Sequence, residues 1–167
     1  MHIELSEILT CPDCRSPQGL VVLVDEMDDE GRVRRGHLGC SRCQRRYPVR
    51  EGVVDLLEGA GEAGDTRPGG TETATEAGDR PPPEELAVEV GGLLDLPSLK
   101  GPVVLGHGLA PAAARLAALA GGVRILALAA PPEESPARNG DFTLVRAPAG
   151  RLPLLPGKAA GVALWRP

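Results

Sequence analysis

Four cysteines are the residues best placed to do chemistry. They fall in two pairs, Cys11-Pro-Asp-Cys14 and Cys40-Ser-Arg-Cys43. A Cys-x-x-Cys turn aims two sulfurs at one point, and two such turns supply a tetrahedron for zinc at Zn–S distances of ~2.3 Å. A structural site of this kind can contribute on the order of 10 kcal/mol to folding. The competing arrangements are two disulfides, four free thiols, or one redox-active pair. No basic start and apolar core precede the cysteines, so no signal peptide is expected, and disulfides belong to oxidising compartments. A redox pair would leave the second Cys-x-x-Cys unexplained. The expectation is structural zinc on Cys11, Cys14, Cys40 and Cys43. His37, three residues before Cys40, is read as a surface histidine, because four thiolates already fill the site.

Short strands must hold these turns in place. Leu20-Val-Val-Leu-Val24 reads as one, Asp25 to Arg35 as a charged hairpin tip, and Gly36 to Gly39 as the returning strand. Tyr47-Pro-Val49 and Gly52 to Leu57 supply a third short strand and an apolar close. A short apolar segment, Ile3 to Ile8, precedes the first Cys pair. About 57 residues make only a marginal core on their own, so the metal matters.

These residues resemble a family. Leu5-Ser-Glu-Ile-Leu-Thr-Cys-Pro-Asp-Cys14, then Cys40-x-x-Cys43, then Tyr47-Pro-Val-Arg-Glu-Gly-Val-Val-Asp-Leu-Leu57 are similar to the small zinc-ribbon proteins that activate tRNA, rRNA and release-factor methyltransferases. The likeness covers residues 5–57, with Val54 in place of the usual proline. It implies an interaction module whose apolar strand and helix cover an exposed edge of a methyltransferase sheet. It does not imply catalysis by the ribbon.

The chain has 167 residues and a net charge of −5, with 22 glycines and 17 prolines. That charge argues against nucleic-acid binding by bulk electrostatics. No apolar run reaches the ~18–20 residues of a membrane span. Glu58, Glu62, Asp65, Glu72, Glu76 and Asp79 make the middle of the chain acidic, and almost no large apolar residue accompanies them. Such a stretch cannot offset its ordering entropy. The expected organisation is therefore a zinc ribbon over 1–57, an acidic Gly/Pro-rich linker over 58–83 and an α/β domain over 84–167. In the last, Glu84–Leu94 predicts a helix and Val103 onward a strand. Pro111–Ala120 predicts a buried helix, and Val123–Ala129, Phe142–Arg146 and Ala159–Trp165 three more strands. Continuous apolar strands alternating with helix mark a parallel sheet.

This second part also resembles a family, the class I S-adenosylmethionine-dependent methyltransferases. Val103-Val-Leu-Gly-His-Gly-Leu-Ala110 stands where they carry Val-Leu-Asp-Leu-Gly-Cys-Gly-x-Gly. Ile125-Leu-Ala-Leu-Ala-Ala-Pro-Pro-Glu133 and Arg146 to Pro156 match two later landmarks in order. The resemblance implies a truncated Rossmann-like sheet and carboxylates that bind the cofactor's amino group, ribose and adenine. At those positions this chain has Val104, Ala129 and Pro148. Unpaired ligand donors cost ~1–3 kcal/mol each, so S-adenosylmethionine binding is not expected. Gly106 and Gly108 keep a degenerate Gly-x-Gly turn, which alone marks only a close strand-to-helix connection. His107 is read as a turn residue, and no catalytic residue is assigned.

The expected fold is thus α/β, a small β-rich zinc ribbon followed by a truncated parallel sheet with an exposed edge and a poorly covered face. Such surfaces are normally paired or covered. The expected function is a non-catalytic, cytoplasmic interaction partner, activator or scaffold of a methyltransferase, working as a homodimer or heterodimer. Two alternatives stand beside it. One is an active S-adenosylmethionine-dependent methyltransferase acting on RNA or protein. The other is a zinc-ribbon RNA-binding module using Arg32, Arg34, Arg35, Arg42, Arg45, Arg46 and Arg50, opposed by the acidic residues of the neighbouring loop.

Overall fold

The computed structural model describes residues 1–57, 82–106, 108–129, 142–148 and 152–164. The acidic segment expected over 58–83, His107 and Trp165 therefore lie wholly or mostly outside the described residues. Charged side chains did not end the first hairpin where the sequence suggested. Strand β1 runs Val21–Met27 and β2 runs Val33–Gly39, so only 28–32 form the tip. At the tip Asp28 accepts the Glu30 and Arg32 amides and the Arg32 guanidinium. Gly36 is required in β2, because a Cβ there would collide with the Leu23 carbonyl of β1. Strands β3 (Arg46–Arg50) and β4 (Val53–Asp55) follow, joined by a tight turn with Gly52 at φ 82°. The apolar segment Ile3–Ile8 forms a 3-10 helix.

The C-terminal elements agree with the sequence pattern. Helix α1 spans Pro83–Leu93, with proline at its start and Glu84 and Glu85 in its first turn, where the helix dipole favours acids. Strand β5 (Val103–Leu105) leads through a turn to α2 (Ala113–Ala120), which ends at Gly121 in the left-handed region. Strands β6 (Ile125–Ala129), β7 (Phe142–Arg146) and β8 (Gly161–Ala163) complete the set. Strands β7, β6, β5 and β8 lie parallel in that order.

The two sets of strands are not separate sheets. All eight form one sheet in the order β1-β2-β3-β4-β7-β6-β5-β8, antiparallel within the ribbon and parallel beyond it. The seam is β4 against β7, with Val54 opposite Val145 and Asp55 opposite Arg146. The Leu56 amide extends the ladder to the Arg146 carbonyl, and Arg146 donates to the Asp55 carboxylate at 2.8 Å. Asp55 is 4% exposed. A carboxylate so buried needs a partner, and this one finds it across the seam.

Period-two alternation divides the parallel strands between two cores. Val103, Leu105, Ile125, Ala127 and Leu144 pack with α1 and α2. Val104, Leu126, Leu128 and Val145 face the other way and join Leu5, Ile8, Leu9, Leu20, Tyr47 and Val54 of the ribbon. The sequence pointed to a parallel sheet with an exposed edge and a poorly covered face. The structure corrects the second, because the ribbon's 3-10 helix and strands cover that face. Of the two edges of the parallel strands, the one at β7 is paired with the ribbon's β4 and the one at β8 is not. The outer strands among the described residues are β1 and β8. No helix among them is long and apolar enough to cross a membrane.

Candidate metal centre

The two cysteine turns are built alike. The Arg15 amide donates to the Cys11 carbonyl at 3.0 Å, and the Gln44 amide donates to the Cys40 carbonyl at 2.9 Å. Arg15 and Gln44 both adopt positive φ, 46° and 64°. Each turn thus reverses in the same way just after its second cysteine. Cys11 and Cys40 are buried, while Cys14 and Cys43 are half-buried.

The four sulfurs lie within 4.8 Å of one another. Cys11 Sγ is 3.6 Å from Cys43 Sγ, and Cys14 Sγ is 3.5 Å from Cys40 Sγ. Disulfide sulfurs sit ~2.05 Å apart. Two corners of a tetrahedron with ~2.3 Å metal–sulfur bonds sit about 3.8 Å apart. The geometry fits a metal tetrahedron and excludes disulfides. Electrostatics agree. Burial works against a Cys40 thiolate, but the amides of Cys43 and Arg42 aimed at its sulfur outweigh that and bring its pKa down to about 7. Burial and the neighbouring sulfurs push Cys43 up to about 12. Burial also raises Cys14, so the Cys40 thiolate forms readily while Cys14 and Cys43 resist. A divalent cation removes that conflict by neutralising the charge they share.

A supporting layer surrounds the sulfurs. The Tyr47 hydroxyl donates to Asp13 Oδ2 at 2.6 Å and lies 3.0 Å from Cys11 Sγ. Asp13 also pairs with Arg45 at 3.2 Å. The Thr10 hydroxyl donates to the Ser16 carbonyl, closing the loop around the first turn. In the sequence Tyr47 marks a short strand and opens the closing motif of the ribbon, and neither role ties it to the sulfurs. Its signal was its position as one of three aromatics in the chain, placed four residues after the last cysteine. His37 stays out of the cluster. It sits mid-strand in β2, opposite Leu23 and Pro48, with Nδ1 3.7 Å from Asp25.

Among the described residues, the three positions that the methyltransferase pattern reserves for acids bring no polar side chain to the Gly-x-Gly turn. Val104 is fully buried in the core shared with the ribbon, and Ala129 is buried among the helices. Pro148 is half-buried. A Cβ on Gly106 would lie 2.6 Å from Leu164 Cδ2, the end of an exposed side chain that can swing aside, and 3.4 Å from the Ala163 carbonyl oxygen. Gly108 has φ 84°, which glycine adopts without strain. Among the arginines of the ribbon, Arg35 and Arg50 stand opposite each other in the β2–β3 ladder, and Arg35 reaches Glu26 at 4.0 Å.

Residues 2–52 match the family of Trm112p-like proteins. That match spans both cysteine pairs and ends at the β3–β4 turn. No curated protein and no solved structure matches the chain.

Proposed function

We propose that this chain is a non-catalytic interaction protein. A structural zinc ribbon is fused to a truncated, methyltransferase-like sheet that has lost its cofactor chemistry, and the whole serves as an activator or scaffold of a methyltransferase. The ribbon side rests on the family likeness of residues 2–52 and on four thiolates placed for a tetrahedral metal. Zinc is the ion that four soft sulfur ligands in this geometry favour where no redox chemistry is needed. Cys11, Cys14, Cys40 and Cys43 would hold it and stay closed to substrate, because no ligand position is left open.

One observation carries the non-catalytic side. Val104, where the methyltransferase pattern has an acid, is 0% exposed and committed to the ribbon core. The hydrocarbon of Ala129 and the ring of Pro148 complete the loss. The β4 edge is already paired with β7, so a partner has to meet other surfaces. Val21, Leu23, Val24 and Met27 on the outer strand β1 are exposed and apolar, as an interaction protein requires.

The test is purification of the tagged full chain from its native host, together with calorimetry against S-adenosylmethionine. A co-eluting full-length methyltransferase and no heat of cofactor binding are expected. Recovery of the bait alone would remove the partner half of the proposal. Measurable cofactor binding would replace the pseudoenzyme with an active methyltransferase.

A further inference from the structure

We infer that metal binding at the ribbon governs the covering of the parallel sheet some hundred residues away, so that the ribbon is a metal-dependent second layer for the C-terminal half. This goes beyond the function proposed above and rests on its reading of the four cysteines as a metal site. Cys11 and Cys40 belong to the same buried cluster as Val104, Leu126, Leu128 and Val145. No α-helix covers that face among the described residues, since α1 and α2 pack on the other one; its cover is the ribbon's 3-10 helix and strands.

A backbone route ties the metal turn to the far segment. Thr10, the residue before Cys11, donates its amide to the Pro153 carbonyl at 2.9 Å. Leu155 donates back to the Ile8 carbonyl at 2.8 Å, and Leu9 pairs with Leu154 in an isolated bridge. Meanwhile the Thr10 side chain is held by the Ser16 carbonyl just past the turn. Loss of the metal releases the turn that holds Thr10, and with it the 153–155 strap. The β4–β7 seam is the second tie, and the His2 amide on Thr143 Oγ1 a third. A ribbon of this size relies on its metal for order. When that order goes, the four aliphatic side chains lose their cover together. The coupling runs both ways by thermodynamic necessity, so weakening the seam must weaken metal affinity.

Hydrogen exchange by mass spectrometry on the full wild-type chain tests this. The chain is measured zinc-loaded, then after a strong chelator, then after zinc is returned, with metal content followed in parallel. Peptides covering β6 and β7 are expected to exchange at least about tenfold faster without metal, together with the ribbon, and to recover on zinc return. Acceleration confined to residues 1–57 would overturn the inference, and so would a chain that takes up no zinc. Whether a methyltransferase co-purifies has no bearing on either outcome. A zinc competition assay on Arg146→Ala supplies the reciprocal arm. Affinity is expected to fall about fivefold or more although no ligand is touched; unchanged affinity in a variant whose seam exchanges faster would overturn the coupling.

Discussion

The cysteine turns of the ribbon and the strand ends of the parallel sheet make an instructive pair. Both are built around tight turns that need residues in the left-handed region. At the ribbon, every layer serves the sulfurs: left-handed residues after each pair, amides aimed at Cys40, and Tyr47 and Asp13 behind Cys11. At the sheet, Gly106 and Gly108 belong to the turn that follows β5, and Val104 on that strand is spent on packing. On the sheet, that packing completes the core on which the ribbon rests.

The comparison breaks most readily at the metal. Cys14→Ser removes a half-buried ligand with little packing of its own, so its effect isolates ligation. A four-thiolate site contributes on the order of 10 kcal/mol to a unit of this kind. Thermal melts are expected to show the ribbon transition lost, and zinc binding to fall by orders of magnitude. A variant that melts like the wild type would mean the turns stand without metal. The converse experiment returns an acid to the other region. Val104→Asp buries an uncompensated carboxylate in the shared core and is expected to cost about 4 kcal/mol in urea unfolding, with no cofactor binding gained. A stable variant that binds S-adenosylmethionine would show that one side chain separates the two regions.

A smaller effect lies at the seam. Arg146→Ala leaves Asp55, whose side chain is 6% exposed, without its 2.8 Å partner. Because the Arg146 side chain is 40% exposed, water recovers part of the loss. The expected destabilisation is about 2 kcal/mol by chemical denaturation, with exchange rising in β4 and β7. The double variant with Asp55→Asn is expected to recover part of it, since the buried charge that Arg146 had balanced goes too.

That seam also marks where the sequence stops being legible. The cysteine turns could be read because their chemistry is local, two residues between ligands. Strands β5, β6 and β7 could be read because their apolar runs are continuous. Nothing in Val53-Val-Asp55 says that its partner lies 91 residues away. Non-local parallel pairing leaves no periodic trace, and Asp55 looks like any surface acid until its burial is seen. The hairpin tip was overextended for a related reason. Asp25, Glu26, Arg34 and Arg35 read as loop, yet they lie on β1 and β2 at the outer rim of the sheet, where strands tolerate charge and a bulge falls beside Glu26.

The finest contrast is within the supporting layer of the metal turn. Tyr47 is fully buried, and its hydroxyl has one proton to give. Burial, then the bond to Asp13, hold that hydroxyl protonated. At 2.6 Å that proton points at Asp13, while Cys11 Sγ sits 3.0 Å from the same oxygen. Asp13 keeps Arg45 when the hydroxyl is removed, and phenylalanine fills the same space. Tyr47→Phe is therefore expected to cost only about 1 kcal/mol, the net worth of one hydrogen bond. Zinc should still bind, with a several-fold faster loss to chelator, because Cys11 no longer has its neighbour fixed. A melt shifted as far as that of Cys14→Ser would place Tyr47 among the groups the metal cannot do without. An unchanged chelation rate would reduce the Tyr47–Asp13 pair to ordinary core packing.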